Sequence, residues 1–257
     1  MNRKYRYFVF GDVHGEFLPL VSALQEAGWD SENPKHILIS VGDNFDRGMD
    51  NVKVYKFLRR YKALCVLGNH DKFFYDYLLG ISNGAWDCEQ NGMWWTLRDF
   101  SGRDIPPTNY FDTLPYLRYQ IQERFLDLTS WLGTMPDGYK IGDYIITHAG
   151  FDTNYLEHEQ DKNWYPSNHM TTPKFIRKYD GYTEKFKFIF GHWHAWRLTK
   201  EFIGIDDHSS YIFEYGNFIG LDSCSNLTKN VNVYVIDSDK EAIPFTSKSN
   251  LEEIKRL

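Results

Sequence analysis

In the first third of the chain, short apolar runs alternate with segments in which apolar residues recur at a helical period. Mostly apolar runs cover residues 5–10, 36–41 and 63–67, and runs of this length are typical of buried strands. Each is followed by a segment in which apolar residues recur every three or four positions, at 17–27, 51–61 and 72–79. That longer period indicates amphipathic helices. Because strand and helix alternate, the pattern predicts an α/β layer with parallel strands.

The pattern changes in the middle of the chain and again near its end. Residues from about 80 to 136 are rich in Trp and Tyr and mostly helical in period, which predicts helices inserted beside the sheet. Short apolar runs return at 144–147, 186–190, 211–215, 218–221 and 231–236, and they predict a second sheet packed on the first. We expect one domain over residues 1–240, with the helical insertion at 80–136, and a C-terminal tail over 241–257.

Composition and charge narrow the classes of function. The chain has 257 residues, of which 42% are hydrophobic and 25% charged, as in ordinary globular proteins. Its formal net charge of -6 argues against a broad basic surface for nucleic acid. Small anionic substrates remain compatible with this charge, because bound metal ions can outweigh nearby carboxylates.

Cysteine content and the apolar runs predict the compartment. Three widely spaced cysteines, Cys65, Cys88 and Cys224, indicate neither a disulfide framework nor a zinc ribbon. The first six residues lack the apolar region of a signal peptide. No apolar run approaches the roughly 20 residues of a membrane helix. We therefore expect a cytoplasmic protein without a membrane partner, and the sequence leaves the oligomeric state open.

Five short motifs each follow an apolar run, at the strand ends where α/β proteins bind ligands. They are Gly11-Asp12-Val13-His14-Gly15, Gly42-Asp43-Asn44-Phe45-Asp46-Arg47-Gly48, Gly68-Asn69-His70-Asp71, Thr147-His148-Ala149-Gly150 and Gly191-His192-Trp193-His194. A single motif of this kind is usually a surface accident or a structural histidine. Five of them, with mixed Asp, Asn and His donors, indicate a metal site.

The spacing within the motifs suggests how the donors are divided. Asp12 and His14 are two residues apart, so in an extended segment both side chains point the same way. Asp43 leaves the second strand and can bridge two metal ions. Asn69 and His70 are neighbours whose side chains diverge, so that one can face a metal ion and the other the substrate.

The donor types also constrain the metals and the chemistry. Mixed carboxylate, amide and imidazole donors suit Mn, Fe or Zn. Two such ions about 3.5–4 Å apart clamp the attacking and leaving oxygens of an in-line displacement and turn a bound water into hydroxide near neutral pH.

These motifs resemble those of the calcineurin-like metallophosphoesterases over roughly residues 5–228. The GDxxDRG form of the second motif is similar to the phosphoprotein phosphatase branch, which includes bacterial and phage serine/threonine phosphatases and symmetric diadenosine tetraphosphatases. Asn91-Gly92-Met93-Trp94-Trp95-Thr96 and Gly220-Leu221-Asp222-Ser223-Cys224 also resemble family stretches. The resemblance implies a four-layer α-β-β-α sandwich, in which two packed mixed sheets are flanked by helices.

The resemblance further implies a role for each motif residue. Asp12 and His14 would bind a first metal ion, Asp43 would bridge, and the second ion would be bound by Asn69, His148 and His192. His70 would protonate the leaving oxygen, Asp46 would orient it, and Arg47 would hold the phosphate in a bidentate contact. The implied cofactor is a pair of divalent ions, with Mn²⁺ favoured and Fe or Zn as alternatives.

Two features depart from the phosphoprotein phosphatase pattern. His194 is a second histidine after the Gly-His pair, and in the wider superfamily a histidine at this place binds the first metal ion. We therefore include His194 among the candidate ligands, with a packing role as the alternative. The branch also has a second phosphate-binding arginine, whereas residues 163–166 contain none. Lys162 or Arg177 could substitute for it.

Several functions and residues are weighed against this prediction. The leading hypothesis is a serine/threonine protein phosphatase that hydrolyses phosphomonoesters by in-line attack of a metal-bound hydroxide. The alternative is a symmetric bis(5'-nucleosyl)-tetraphosphatase that cleaves diadenosine tetraphosphate to two ADP. A binding module on an inactive scaffold is disfavoured because no ligand has been lost, and a nuclease because no basic groove is indicated. Polar turns and core packing explain the remaining candidates better than sites do, namely Asp206, Asp207, His208, Trp86, Trp94, Trp95 and Cys224.

Overall fold

The computed structural model describes residues 4–103, 110–150, 172–181, 186–208 and 212–246. The strands within these ranges are β1 (Tyr5–Phe10), β2 (His36–Ser40), β3 (Leu64–Cys65), β4 (Gly138–Ile141), β5 (Tyr144–Thr147), β6 (Lys187–Phe190), β7 (Phe213–Tyr215), β8 (Phe218–Gly220), β9 (Val233–Ser238) and β10 (Ile243–Phe245). The α-helices are α1 (Phe17–Glu26), α2 (Asn51–Arg60), α3 (Asn69–Leu79), α4 (Ala85–Gln90), α5 (Met93–Ser101), α6 (Tyr110–Arg124), α7 (Leu128–Leu132), α8 (Thr172–Tyr179), α9 (Ala195–Leu198) and α10 (Ser225–Thr228). A π-helical turn, Thr199–Ile203, continues α9. In the described part of the chain, no helix is both long and apolar enough to cross a membrane.

The first sheet has the strand order β3-β2-β1-β9. Strands β1, β2 and β3 run parallel, with Tyr7 opposite Ile37 and Ile39 opposite Leu64, which confirms the predicted parallel layer. Strand β9 pairs antiparallel with β1. The prediction that all the late strands form the second sheet is therefore wrong for β9. An apolar run shows that a strand is present, but it carries no information about which sheet edge the strand joins.

The second sheet has the strand order β10-β4-β5-β6-β8-β7 and mixes parallel with antiparallel pairs. Two of its strands were not predicted. Gly138 and Lys140 interrupt the apolar run of β4, and β10 is a three-residue edge strand that contains Pro244. Strand β10 lies within 241–257, so the predicted tail is wrong for its residues 243–245. Residues 247–257 lie outside the described part of the chain.

Three apolar clusters divide the molecule into layers. The middle cluster joins the inner faces of the two sheets and includes Val9, Ile39, Ile146 and Ile189. A second covers the outer face of the first sheet with the helices from α1 to α7, and a third packs α8 and α9 on the outer face of the second sheet. The order of layers is helix, sheet, sheet, helix. This confirms the predicted four-layer sandwich with two mixed sheets.

The Trp-rich middle of the chain contains α4, α5, α6 and α7, so the helical character predicted for 80–136 is confirmed. Trp94 is buried in the large cluster and Trp95 is partly buried against it, as expected for packing residues. Trp86 differs from both, because its side chain is 69% exposed. That these helices form an insertion in a single domain remains a prediction.

Candidate metal centre

Five loops meet at one end of the two sheets, and each carries one of the sequence motifs. They follow β1, β2, β3, β5 and β6. Hydrogen bonds join them directly: the His192 backbone N–H donates to the Asp12 carboxylate at 3.0 Å, and His148 Nδ1 lies 3.0 Å from the Val41 carbonyl. The motifs therefore come together in space as the strand-end argument predicts.

Backbone strain is concentrated in these loops. Five non-glycine residues of the motifs have positive φ angles, namely His14 (46°), Asp43 (53°), Asp46 (73°), Arg47 (64°) and His192 (66°). Such angles are uncommon for residues with a Cβ and persist where surrounding contacts impose them. The first two loops impose them on each other, because the His14 N–H donates to the Asp43 carbonyl at 3.0 Å. Strain of this kind is typical of functional sites.

Two glycines allow the loops to approach each other. A Cβ on Gly68 would lie 2.2 Å from the backbone nitrogen of Asp43 and 2.3 Å from its Oδ1. A Cβ on Gly191 would lie 1.9 Å from Oδ1 of Asp12. Since real Cβ atoms do not come this close, the site requires glycine at both positions.

Two groups of metal-ligating atoms share Asp43. His14, Asp43 and His70 form the first, and Asp43, His148 and His192 form the second; within each, the ligand atoms all lie within 4.8 Å of one another. Asp43 Oδ2 is 3.9 Å from His14 Nε2, and Asp43 Oδ1 is 3.4 Å from His148 Nε2. Asp43 is 3% exposed, so its charge is shielded from water on all sides. A carboxylate between two imidazole groups is suited to bridging two cations.

Asn69 joins the second group through its side-chain oxygen. Asn69 Oδ1 lies 3.0 Å from His148 Nε2 and 2.9 Å from His192 Nδ1. It begins α3, whose first turn is held by Asp71, because the Gly68 N–H donates to Asp71 Oδ2 at 3.2 Å. The start of this helix therefore aims the amide oxygen at the two imidazoles.

Backbone carbonyls orient two of the histidines. His14 Nδ1 lies 2.9 Å from the Phe45 carbonyl, and His148 Nδ1 is bound in the same way to Val41. A ring nitrogen that faces a carbonyl must donate, so the neutral tautomer carries its proton on Nδ1 and its lone pair on Nε2. Such a hydrogen bond from Nδ1 is the usual arrangement for a histidine that binds metal through Nε2.

Asp12 lies beside the two groups and next to a further buried carboxylate, Asp222. The sequence pairs Asp12 with His14 on the premise of an extended segment, and that premise is wrong because His14 has φ 46°. The Asp12 carboxylate instead faces the His192 backbone. His194 Nε2 lies 3.9 Å from Asp222 Oδ2, and His194 Nδ1 is buried without a hydrogen-bond partner among the described residues.

Burial and close neighbours shift the pKa values of the ionisable side chains at the centre. Burial and the nearby Asp222 raise the pKa of Asp12 well above its usual range, and burial also raises the pKa of Asp222. Burial would raise the pKa of Asp43 too, but His148 and His70 hold it well below the usual range. Burial lowers the pKa of His148, yet Asp43 outweighs this and raises it to about 9. A proton on His148 thus balances the negative charge of Asp43, as a bound cation would.

The other two imidazoles favour the neutral form that a metal ion needs. Burial, together with His70 and Arg47, lowers the pKa of His14 well below its usual value. Burial and His148 lower the pKa of His192 to about 3. With three buried carboxylates, neutral imidazoles and an amide oxygen converging on one place, the donor set fits divalent cations.

His70 and Asp46 form a hydrogen-bonded pair at the edge of the first group. His70 Nδ1 lies 2.8 Å from Asp46 Oδ2, and both residues are buried. Asp46 is fixed in turn: its other oxygen accepts a 2.5 Å hydrogen bond from the Thr96 hydroxyl, and its backbone N–H donates to Asn51 Oδ1. A carboxylate that accepts from Nδ1 directs Nε2 of His70 away from itself, toward Arg47.

Arg47 spans the gap between two imidazoles. Its Nη1 donates to His14 Nε2 at 3.1 Å and its Nη2 to His70 Nε2 at 3.0 Å. The backbone N–H of Arg47 donates to the carbonyl of Gly92, at the start of α5. The planar guanidinium is thereby placed beside the first group of ligand atoms, where it offers two parallel donors.

Sequence reasoning assigned no role to several residues that hold this site in shape. Thr96 and Asn51 fix Asp46, and Asp71 accepts hydrogen bonds from the backbone and side-chain nitrogens of Asn44. Burial raises the pKa of Asp71 to about 7. Thr96 and Asp222 lie in the two stretches that resemble the family, so the sequence marked these positions but did not indicate what their side chains contact.

The remaining candidates stay outside the centre. Arg177 pairs with Glu201 and packs over Phe202, so it does not reach the site. Lys162 and residues 163–166 lie outside the described ranges. Asp206 bonds Lys200 at 2.7 Å on an exposed turn, as expected. Burial raises the pKa of the Cys224 thiol, which disfavours the thiolate of a nucleophile.

Comparison with known proteins connects this geometry to a family. The family model described as calcineurin-like phosphoesterase matches residues 5–196. Serine/threonine-protein phosphatase 2 of Escherichia coli (strain K12) is 42% identical over 153 residues, which cover 57% of this chain and 60% of that protein. The asymmetrical bis(5'-nucleosyl)-tetraphosphatase PrpE of Geobacillus sp. (strain WCH70) is 28% identical over 166 residues, covering 60% of this chain and 61% of that protein. The chain thus spans less than two thirds of the length of these relatives.

A solved structure shows the same fold. A putative diadenosine tetraphosphatase superposes with a TM-score of 0.54 and 17% sequence identity, over 94% of each chain. At this identity the likeness concerns the arrangement of sheets and helices and does not extend to the substrate.

Proposed function

The chain belongs to the calcineurin-like phosphoesterase family, and we propose that it hydrolyses phosphate esters with two divalent metal ions, with phosphoserine and phosphothreonine in proteins as substrates. The observation that carries this proposal is the buried Asp43 carboxylate, which is shared by two groups of metal-ligating atoms. The His70–Asp46 pair and the Arg47 guanidinium lie beside it.

The proposed ligands take His14, Asp43, His148 and His192 from the two groups and add Asp12 and Asn69, whereas His70 faces the substrate. His14 and Asp12 would hold a first ion, with His194 beside them, and Asp43 would hold both ions. Asn69, His148 and His192 would hold the second ion. Mn²⁺ is the proposed metal, and Fe and Zn suit the same donors. Bound there, two cations would polarise a phosphoryl oxygen and lower the pKa of a water molecule, so that it attacks as hydroxide at neutral pH.

Three side chains would handle the substrate directly. Arg47 would bind two phosphoryl oxygens with the parallel donors that now contact His14 and His70. His70 Nε2 faces away from Asp46. Once Arg47 has turned from it to the phosphate, Nε2 would take up a proton from water and give it to the leaving oxygen of the serine or threonine. Asp46 would stabilise the charged imidazole through Nδ1, and Thr96 would keep Asp46 in place.

Two observations support a phosphoprotein substrate. Asp46 and Arg47 stand together in the second motif, and both are held at the centre by hydrogen bonds. The relative from Escherichia coli, whose name is serine/threonine-protein phosphatase 2, shares 42% identity over a stretch of 153 residues. We also propose a cytoplasmic location, which agrees with three cysteines that are all free thiols.

The second candidate is hydrolysis of a dinucleoside tetraphosphate. It is favoured by the relative from Geobacillus, which carries the name of an asymmetrical tetraphosphatase. The same metal centre suits a phosphoanhydride, because the leaving oxygen again needs a proton or a charge-stabilising group. The symmetrical form of the reaction would release two ADP.

Initial rates in one Mn²⁺ buffer separate the candidates. One substrate is a pool of phosphoserine and phosphothreonine peptides, and the other is diadenosine tetraphosphate. We expect a larger kcat/KM for the peptides. A larger value for the dinucleotide would transfer the proposal to the second candidate, and chromatography would then tell two ADP from ATP plus AMP. Hydrolysis of neither substrate would overturn both.

A further inference from the structure

A cavity of about 540 Å³ lies at the end of the first sheet that is remote from the metal centre. Its lining includes Tyr5, His36 and Leu64, the first residues of β1, β2 and β3. Because these three strands are parallel, their first residues lie at one end of the sheet and the motifs that follow the strands lie at the other end. The volume lies within the range of pockets that hold small molecules. This cavity is therefore distinct from the catalytic loops.

The charge of the lining differs from that of the whole chain. Among its described residues, Arg60 and Lys62 are cations and Glu241 is the carboxylate. Glu241 already accepts a hydrogen bond from the Tyr5 hydroxyl at 3.3 Å. The chain as a whole carries a formal charge of -6, so a local excess of positive charge stands out. Such an excess favours an anionic ligand.

Rigid aromatic rings form another part of the lining. Trp29 meets Tyr61 edge to face with ring centroids 4.8 Å apart, and it meets Phe57 in the same way at 5.6 Å. These contacts fix the indole, which is still partly exposed to the cavity. The Arg60 guanidinium lies 5.4 Å from the Tyr61 ring centroid, so cation and aromatic surface are adjacent. Fixed aromatic side chains next to cations suit a planar base that carries a phosphate.

Two polar side chains add hydrogen-bond donors. The Asp30 backbone N–H donates to His36 Nδ1 at 3.0 Å, so a neutral His36 carries its proton on Nε2. Asn33 Oδ1 accepts from the Lys35 N–H at 3.1 Å, which leaves the amide nitrogen of Asn33 as a donor. Both residues line the cavity. They complement the acceptor atoms of a phosphate or a purine edge.

We propose that this cavity binds a mononucleotide, with the base against Trp29 and Tyr61 and the phosphate held by Arg60 and Lys62. A site for a simple oxyanion has no need of the aromatic surface, and a site for a neutral aromatic compound has no need of two cations. The proposed hydrolysis uses none of these four residues, so the site is an addition to the catalytic function.

Isothermal titration of the full chain in EDTA tests the site without turnover. The probes are AMP, adenosine and inorganic phosphate. We expect AMP to bind at least tenfold more tightly than either fragment, and the double variant Arg60→Gln/Lys62→Gln to weaken AMP binding at least tenfold. Lys56→Gln, which removes an exposed charge from the same helix, is the matched control. Arg47→Gln changes the metal centre and leaves the lining of the cavity intact, so it should leave AMP binding unchanged.

Three results would overturn the proposal: AMP binding unaffected by the double variant, AMP binding lost in Arg47→Gln, or phosphate binding as tight as AMP binding. Thermal melting of each variant shows that it is folded, whether or not the protein hydrolyses phosphate esters. Hydrolysis measured without nucleotide should be the same in the double variant and the wild type. The test of the cavity is in this way independent of the proposed function.

Discussion

Asp43 is the single residue on which both groups of metal-ligating atoms depend. Its two oxygens face different imidazoles, and the His70 backbone N–H donates to Oδ1 at 2.9 Å. Its φ of 53° and its burial mean that the surrounding loops, and not its own preference, hold it there. Replacing its charge should therefore affect metal binding before it affects the fold.

We expect Asp43→Asn to lose at least ~10³-fold in kcat and to retain less metal, because an amide cannot bridge two cations as a carboxylate does. The melting temperature without metal should stay close to that of the wild type, since a buried charge is removed. Metal analysis and rates on a phosphoserine peptide, whose alkoxide leaving group needs a proton, check both points. His70→Asn is the matched variant: it should slow turnover with metal still bound. Near-normal rates in both variants would rule out the proposed roles.

Thr96 affects His70, the proposed acid, indirectly, because it holds Asp46 in place. We expect Thr96→Val to lower kcat by about 10–100-fold with little change in KM or metal content, because loss of a hydrogen bond that orients a functional side chain has effects of this size. Thr96→Ser keeps the hydroxyl and should recover most of the rate. The pH profile of kcat should shift in Thr96→Val alone. Equal loss in both variants would point to packing in place of positioning.

At the scale of elements, the helical layer supports the loop of the second motif through an aromatic cluster. Phe45, in the second motif, packs edge to face on Phe74 of α3, Phe100 of α5 and Trp131 of α7. Phe100 also contacts Phe125 and Tyr55. The cluster ties three helices to the loop that carries Asp46 and Arg47.

Truncating the centre of this cluster should destabilise the whole layer. We expect Phe100→Ala to lower the free energy of unfolding by about 3–5 kcal/mol, from lost burial and the cavity that remains. Trp86→Ala is the matched control, because a 69% exposed side chain should change stability by less than ~0.5 kcal/mol. Urea unfolding followed by circular dichroism measures both. Similar values for the two variants would contradict a supporting role for the cluster.

The turn that leads into α3 depends on close contact with the second motif. We expect Gly68→Ala to push Asp43 out of place and to reduce metal content and activity sharply, since the new Cβ would lie 2.2 Å from the Asp43 nitrogen. Gly133→Ala is a suitable control, because its Cβ would meet only the side chain of Tyr75, which can move. Metal analysis after dialysis distinguishes them. Full metal content in Gly68→Ala would show that the loops tolerate separation.

At the scale of the whole molecule, metal binding and stability are linked. The centre joins loops from both sheets, so ions that bind there bind the folded state alone. Mn²⁺ at 100 times its dissociation constant should add about 2.7 kcal/mol of stability. For a chain of this size that corresponds to a rise of roughly 5–10 °C in melting temperature. Differential scanning fluorimetry with EDTA and with Mn²⁺ tests this, and Asp43→Asn should lose most of the rise.

The sequence predicts the strands β1 and β2 and the helices α1 and α2 closely, because each has a clear period and a single polar break at its end. The four-layer arrangement follows from the motif resemblance and is confirmed. The convergence of the five motifs follows from the parallel order of strands, which places their carboxyl ends together. These features depend on local patterns of residues, which can be recognised in the sequence alone.

What could not be predicted depends on contacts between distant segments. The positive φ of His14 goes with hydrogen bonds to the Asp43 loop, so the first motif does not have the extended conformation on which the sequence argument for Asp12 and His14 was based. Strand β10 is stabilised by its partner β4, and its three residues are too few, with Pro244 in the middle, to give a clear strand pattern. Asp222 lies more than 200 residues from Asp12 in the sequence, and only folding brings it beside Asp12 and His194.

The pairing of β1 with β9 has a consequence for folding during synthesis. Tyr5 lies opposite Ser238, so one flank of β1 stays open until β9 (Val233–Ser238) has been synthesised. At about 5–20 residues per second, a nascent chain would carry every candidate metal ligand for several seconds before its first sheet could close. During that interval the free strand edge could recruit a neighbouring nascent chain, so expression at lower temperature or with chaperones should improve the yield.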